Sequence, residues 1–404
     1  MSAGSGQSRV VFANRVYWPD EQATAQLLTD LAEGLAARGW PVTVLTGYVG
    51  DTASSEQRNG VEIQRVGGRQ GRHRHLVGQA LTYVWFTLAL RASLRRTLQS
   101  GDILVAMTDP PSLPLVAAAA SRRAGAHLVH WVQDIHPEVG LALRPSRLLA
   151  AVSSPWMRWR DAAWHRGEAC VALGDDMARY AASRRVPANR IRVIPNWAPG
   201  GHRLAPVPVA GNSLRREWHV EDRFVVAYSG NLGRVHALEP VLAAAARLRD
   251  DAEVALLFCG DGPRRPAMEQ AVRLQGLANV RFLPPLPRER LAESLSVGDV
   301  HLVTLRAGCE HFVYPSKLYG VLAVGRPIVF VGPPRCDLAE EVRRRGAGMV
   351  AADDDPEAIA AAIRTLHADP TLRASMGRKA AEWFRATGGL PAALASWEEL
   401  LRGV

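Results

Sequence analysis

The strongest constraint on the fold lies between Asp299 and Val331. His301-Leu-Val-Thr-Leu305 reads as a short buried strand, Arg306 to Pro315 as a loop, and Ser316 to Val324 as a short helix stopped by Gly325. Arg326-Pro327 then launches a second apolar strand, Ile328-Val-Phe-Val331. A strand–helix–strand unit of this kind puts the start of its helix at the carboxyl edge of a parallel sheet, where open α/β folds bind ligands. Pro315 costs nothing at or just before the first helical position, and free N–H groups there favour an anion. Ser316, Lys317 and Leu318 make up that first turn. Lys317 and Lys379 are the only lysines among 49 basic residues, which marks Lys317 as a phosphate contact; an ordinary solvated lysine is the competing reading.

The same alternation runs through the rest of the chain. Arg9–Ala13, Val42–Leu45, Val61–Val66, Asp102–Ala106, His127–Val132 and Cys170–Leu173 read as strands, with Ala23–Arg38 and Leu115–Arg123 as helices between them. A long helical segment starts at Pro155, Asp175 is placed to cap a helix ending at Ser183, and Ile191–Ile194 runs into Pro195-Asn-Trp197. Residues 198–213 are rich in Pro, Gly and Ala without periodicity and read as a linker. A second alternation follows: strands at Phe224–Tyr228, Val254–Phe258 and Val280–Leu283, helices at Leu238–Leu248, Arg264–Gln275 and Arg288–Leu295. At 404 residues two domains are expected. The reading is α/β throughout: residues 1–200 and 201–389 as two doubly wound parallel-sheet domains facing across a cleft, with a helix at about 390–404 able to pack back on the first.

Loops at strand ends carry the candidate chemistry. Asp109, in Thr108-Asp-Pro-Pro111, and Asp134, in Gln133-Asp-Ile-His-Pro-Glu138, both follow buried strands, where a carboxylate can take a proton from an attacking hydroxyl. Prolines beside Asp109 give it a sufficient structural reason, whereas His130, Gln133 and His136 surround Asp134 with groups able to tune a base, so Asp134 is preferred. Gly230-Asn-Leu-Gly-Arg234 offers backbone N–H groups and a guanidinium for a diphosphate, and Arg306, Glu310 and His311 precede the Lys317 turn. Gly260-Asp-Gly262 reads as a plain turn and Asp353-Asp-Asp355 as a solvated helix start. Neither a Walker-type phosphate loop nor a Gly-x-Gly-x-x-Gly after the first strand is present, which counts against a P-loop NTPase and a dinucleotide enzyme.

Charge points to an anionic partner: the net charge is +10. Leu81–Leu90, within an apolar run from His75, has Arg69, Arg72 and Arg74 before it and Arg91, Arg95 and Arg96 after it. A second cluster is Trp156-Met-Arg-Trp-Arg160 with Trp164, His165 and Arg166. Aromatics interleaved with arginine suit an anionic membrane surface better than nucleic acid, for which no binding motif occurs. No run reaches the roughly 18 apolar residues of a membrane span. The four cysteines are far apart, without metal-site spacing, and suit a reducing cytoplasm; the polar start Met1–Ser8 is no signal peptide.

Taken together, Ala23–Leu31, Thr108-Asp-Pro-Pro111, Trp131-Val-Gln-Asp134, Ile194-Pro-Asn-Trp197, Tyr228-Ser-Gly-Asn-Leu-Gly233 and Pro315-Ser-Lys-Leu-Tyr-Gly320 resemble the retaining GT-B glycosyltransferases of family 4 that assemble bacterial polysaccharides. The resemblance spans nearly the whole chain. It implies a nucleotide-diphosphate sugar (a UDP-hexose or UDP-N-acetylhexosamine) in the second domain and a saccharide acceptor, lipid-linked at the inner leaflet, in the first. Gly230, Asn231, Gly233, Arg234, Ser316, Lys317 and Leu318 would grip the diphosphate, Leu283 and Pro284 would lie by the base, and Glu310 would approach the sugar hydroxyls. It implies no metal and no cofactor beyond the donor. The family's pair of glutamates is replaced by Phe312 and Gly320, and its glycine pair after the first strand by Glu21-Gln-Ala-Thr24. A nucleotide-sugar epimerase of the same architecture and a non-catalytic nucleotide-sugar-binding protein are the rival readings.

Overall fold

Strands that are apolar along their whole length need cover on both faces, and parallel sheets wrapped by helices supply it. Val10–Ala13, Ile103–Ala106, Ala169–Ala172 and Ile328–Val331 are buried at every position. In a computed structural model, which describes residues 7–68, 76–198, 200 and 204–404, the chain forms two compact units. Met1–Pro195 with Ala393–Val404 make the first, and Asn196–Ala392 the second.

The first unit carries β1 (Val10–Ala13), β2 (Val42–Thr46), β3 (Ser55–Arg58), β4 (Val61–Arg65), β5 (Ile103–Ala106), β6 (His127–Trp131), β7 (Ala169–Ala172) and β8 (Ile191–Val193). They form one sheet in the order β3-β4-β2-β1-β5-β6-β7-β8, parallel except where β3 runs antiparallel to β4. The second unit carries β9 (Phe224–Ser229), β10 (Val254–Cys259), β11 (Val280–Leu283), β12 (Val300–Thr304), β13 (Ile328–Val331) and β14 (Gly348–Ala351). Its all-parallel order is β11-β10-β9-β12-β13-β14. In each sheet the chain winds outward from the first strand and then returns to its other side. The switch points therefore fall between β1 and β5, and between β9 and β12, where ligands of doubly wound folds bind at the carboxyl edge.

Three elements differ from the sequence expectation. β3, Ser-Glu-Gln-Arg, is polar and half-exposed, and forms because β4 offers it an edge. The tryptophan-bearing helix starts at Arg147, not Pro155: the Ser146 hydroxyl caps it by accepting from Leu149 N at 3.2 Å, and Pro155 lies within it. Asp175 is not a cap either, since Gly174 occupies that position and Asp175 stands in the first turn. Asp355 does cap the Pro356–Ala368 helix, accepting from Ala358 N at 2.9 Å.

The C-terminal helix Leu390–Arg402 joins the first unit through its last turns. Trp397 meets the Trp131 ring edge-on at 5.0 Å between centroids, and Trp40 Nε1 donates to Glu398 at 3.3 Å. All four cysteines are free and buried. Among the described residues no helix is long and apolar enough to cross a membrane. Arg69, Arg72, Arg74, His75 and the Met1–Gly6 stretch of the polar start lie outside the described residues, as do 199 and 201–203 of the linker.

Candidate functional site

In the second unit the loops that leave β9, β10, β11 and β12 are tied side by side. Gly230 N donates to Cys259 O at 2.9 Å, Leu232 N to Asp261 O at 2.8 Å and Gly260 N to Leu283 O at 3.1 Å. Across the switch point, Arg306 N donates to Val235 O at 2.8 Å. Gly260-Asp-Gly262 is thus more than a turn. A Cβ on Gly260 (φ +146°) would stand 2.1 Å from Gly230 O, and one on Gly262 2.5 Å from Asn231 Oδ1. Glycine is required at both positions because a neighbouring backbone passes through the space a side chain needs.

Lys317 reaches into this frame from the far side of the switch point. Its Cε would be 3.8 Å from a Cβ on Gly230. Its Nζ donates to the Tyr228 hydroxyl, lies 3.7 Å from the centre of the Tyr228 ring and 3.3 Å from His236 Nε2. Burial alone pushes its pKa well below the usual lysine value, and no carboxylate opposes the shift. Part of the side chain's surface stays open to water. The helix that begins at Lys317 ends at Ala323, seven residues in all, too short for its dipole to carry the argument; the desolvated ammonium carries it.

The other residues around this corner divide clearly. Gly230, Asn231 and Arg234 are exposed, Gly233 is buried, and Arg234 makes no ion pair among the described residues. Arg306, by contrast, is tied to Glu239 at 3.2 Å, as is Arg264. Ser316 is partly exposed and makes no side-chain cap bond. Leu318 and Leu283 turn into the core, and the Leu283 carbonyl is already taken by Gly260 N and by Arg265 Nη1 at 3.2 Å. Pro284 beside it is exposed. Glu310 keeps one carboxylate oxygen shielded from solvent with no hydrogen-bond partner, an acceptor waiting for a donor. Its loop is anchored where Ala307 N donates to Asp353 Oδ2 at 2.8 Å, a tie that no local sequence pattern announces. At Gly320, the family's glutamate position, a Cβ would touch Leu295 Cδ1 at 3.0 Å, so a side chain there needs a small shift of that leucine.

In the first unit the carboxyl edge brings Arg15, Asp109, Asp134 and His136 onto the loops after β1, β5 and β6, which are neighbours in the sheet. Asp109 is paired with Arg15 at 2.8 Å, and the Arg15 guanidinium also lies 5.4 Å from the Tyr83 ring centre. Asp134 remains open to solvent at its surface. Loss of hydration deeper in the loop raises its carboxyl pKa, His136 lowers it, and the Asp109 carboxylate raises it. Solvent exposure limits the rise.

His130 does not join them. It is 1% exposed, its Nε2 donates to Ala163 O at 3.0 Å, and burial lowers its pKa to about 4. The loop is held instead by Arg160, buried from both sides, which pairs with Glu138 at 2.6 Å and donates to His136 O at 3.1 Å. Arg160 also covers the Trp164 ring at 4.3 Å. That removes Arg160 and Trp164 from the surface cluster expected at Trp156–Trp164. Of that cluster Trp159 is exposed at 61%, and Arg158, His165 and Arg166 are exposed too; earlier on the same helix Leu148, Leu149 and Val152 are exposed at 74%, 44% and 69%. Leu81, Val84, Trp85 and Leu88 are exposed on the Leu76–Thr97 helix at 52–61%. Both helices pack on the Leu113–Ala124 helix between them.

Among the described residues no group of three or more His, Cys, Asp and Glu side chains is placed to hold a metal ion. A cavity of about 500 Å³ lined by Asp299, Arg326 and Arg373 opens at the amino ends of β12 and β13, the edge opposite Lys317.

Two parallel-sheet units with ligand-binding corners of this form define the GT-B class. The whole-chain fold agrees with that of the Anabaena protein HepE in complex with UDP, at 16% identity, a TM-score of 0.74, and 98% of this chain and 100% of that one covered. Sucrose-phosphate synthase from Thermosynechococcus elongatus gives 18% identity and a TM-score of 0.77, with 98% of this chain and 99% of that one covered. Residues 23–197 match the glycosyl transferase 4-like domain and residues 212–383 the glycosyl transferases group 1. The chain belongs to the family 4 glycosyltransferases.

Its relatives include WcaI of Escherichia coli K12, a glycosyl transferase assigned provisionally to colanic acid biosynthesis, 26% identical over 63% of this chain and 62% of its own length. The match to that relative therefore spans somewhat less than two thirds of it. The alpha-D-kanosaminyltransferase of Streptomyces kanamyceticus is 26% identical over 66% of this chain and 68% of its own length.

Proposed function

We propose that this protein moves a sugar from a nucleoside-diphosphate sugar to a saccharide acceptor in cell-surface polysaccharide assembly, with retention of the anomeric configuration. The observation that carries the reading is Lys317: a desolvated ammonium, met by no carboxylate, beside an exposed glycine-bearing loop at the β9–β12 switch point. A buried cation without a counter-ion is costly, and a diphosphate relieves that cost. The HepE complexes with UDP and with UDP-glucose support a uridine nucleotide on this fold.

In this reading Lys317 and Arg234 stabilise the diphosphate as the bond from its oxygen to the anomeric carbon breaks and it leaves with the electron pair. The acceptor hydroxyl attacks the same face, and its proton passes to Asp134, whose raised pKa suits a proton acceptor. Glu310 accepts from the donor's sugar hydroxyls through its unpartnered oxygen. Two side-chain cations supply the charge that a metal supplies elsewhere, so transfer proceeds without one.

The acceptor is lipid-linked, and the protein meets it on the inner face of the cytoplasmic membrane. Support comes from the exposed apolar faces of the Leu76–Thr97 and Arg147–Arg166 helices, flanked by exposed Arg91, Arg95, Arg122, Arg123 and Arg158. A panel of radiolabelled nucleotide sugars incubated with polyprenyl-diphosphate-linked saccharides tests the reading. Transfer of one sugar that is lost in Lys317→Ala supports it; binding of nucleotide without transfer to any acceptor favours a non-catalytic protein.

A further inference from the structure

The donor-site lysine is set in an arrangement that its neighbours determine. His236 Nδ1 faces Thr304 O at 2.8 Å; a carbonyl only accepts, so Nδ1 carries the proton and Nε2 is left with its lone pair. That lone pair points at Lys317 Nζ, 3.3 Å away. The Tyr228 hydroxyl spends its own proton on Asn231 O at 2.8 Å, which leaves its oxygen to accept from the same Nζ. The Tyr228 ring face, 3.7 Å from Nζ, adds the attraction of its π cloud, and the His236 ring stands edge-on to that ring at 6.0 Å.

The two side-chain partners of Nζ are therefore neutral: Tyr228 near the end of β9 and His236 on the loop after it. Thr304, on β12, contributes the carbonyl that orients His236. A carboxylate in this position would hold Lys317 more firmly and would also neutralise it, so an incoming diphosphate would have to displace a formed ion pair.

We propose that His236 and Tyr228 are positioning residues for donor binding, two neutral acceptors that aim the Lys317 amine at the diphosphate while leaving its charge uncompensated. The inference rests on the reading of Lys317 as the diphosphate contact. Burial lowers the pKa of both groups, that of His236 to about 3, so the imidazole stays neutral; an arriving anion favours the charged lysine and opposes its shift. The same tie explains the short reach from Tyr228 to Asn231, which fixes the first turn of the glycine loop against the lysine.

The test is a double-mutant cycle on the full chain, with UDP and inorganic pyrophosphate as probes in titration calorimetry. Tyr228→Phe keeps the ring and removes the acceptor; His236→Phe keeps an aromatic ring and removes the lone pair. Each should weaken UDP and pyrophosphate roughly fivefold to tenfold, the scale of one ordinary net hydrogen bond. Added to Lys317→Ala, neither should weaken binding further.

Losses that persist undiminished in the Lys317→Ala background mean that Tyr228 and His236 act through folding of the loop, and overturn the proposal. Full pyrophosphate affinity in both single variants overturns it as well. Unchanged affinity in Lys317→Ala itself is a separate result, one that removes the diphosphate assignment of Lys317.

Discussion

Arg15 and Asp109 close an ion pair at 2.8 Å across the β1–β5 switch point of the first unit, the position that Lys317 leaves electrically open in the second. The two corners are topologically equivalent and chemically opposite. In the first, the carboxylate already has its cation. Asp134, on the loop after the next strand, has no such arginine, and loss of hydration raises its pKa against the opposing effect of His136.

That contrast separates the two acids. Asp134→Asn should lose turnover by about 10²–10⁴-fold, the contribution of a general base, while nucleotide affinity stays unchanged. Asp109→Asn should cost less turnover and act through Arg15, whose partner it removes. Steady-state sugar transfer measured beside nucleotide titration distinguishes them. Near-normal turnover in Asp134→Asn would end its candidacy.

The glycine corner predicts a steric effect without any chemistry. Gly260→Ala places a methyl 2.1 Å from Gly230 O, so the two loops must separate. UDP affinity should fall at least tenfold, with a loss of roughly 1–3 kcal/mol in stability typical of an overpacked site. Gly276→Ala is the control: its Cβ meets nothing within 4 Å, although its positive φ of 61° makes it slightly strained. Equal effects of the two substitutions on UDP binding would contradict the close-approach argument.

Much of this architecture is legible in the residues themselves, and the exceptions have causes. Parallel strands buried on both faces are continuous apolar runs, so β1, β5, β9 and β12 stand out. β3 does not, because its sequence is polar and only its partner makes it a strand. Lys317 is conspicuous through its rarity, but Tyr228 looks like the last residue of an apolar strand and His236 like a loop residue. Their convergence on Nζ joins positions 89 and 81 residues apart in the chain. Arg160 and Trp164 read as surface because they lie among arginines and tryptophans; Glu138, 22 residues earlier, draws Arg160 inward. Arg15 has no local signal for its role beyond following a strand.

Buried histidines set the response to acid. His130, His236 and His301 are held neutral, at about 4, 3 and 4, chiefly by burial. Each folded value lies below the unfolded one, so the unfolded state binds protons first as the pH falls. Their contribution is fully present above about pH 6.5 and is lost progressively towards pH 4. Lys317 has the same sign at higher pH: its lowered value means stability rises with pH from its folded value up to about 10.4. Urea titrations between pH 4 and 8 should show a steady loss below pH 6.5, and His301→Gln should flatten part of it. A flat profile over that range would contradict the burial of these rings.

The exposed helix faces predict salt-sensitive attachment to lipid. Vesicles containing anionic lipid should bind the protein at low salt and release it as ionic strength rises, since charges are screened within about 10 Å at 0.1 M. Trp85→Ser together with Trp159→Ser should weaken binding without changing UDP affinity, because both side chains are exposed and distant in sequence from the donor-site residues. Failure to bind anionic vesicles at low salt would remove the membrane from the account.

The central claim is that Lys317 receives a diphosphate, and the most direct measurement compares UDP with uridine by calorimetry in wild type and Lys317→Ala. A charged hydrogen bond of roughly 1.5–3 kcal/mol predicts about a tenfold to hundredfold loss for UDP in the variant and no change for uridine, which lacks the phosphates. Equal UDP affinity in the two proteins, or an equal loss for uridine, would contradict it.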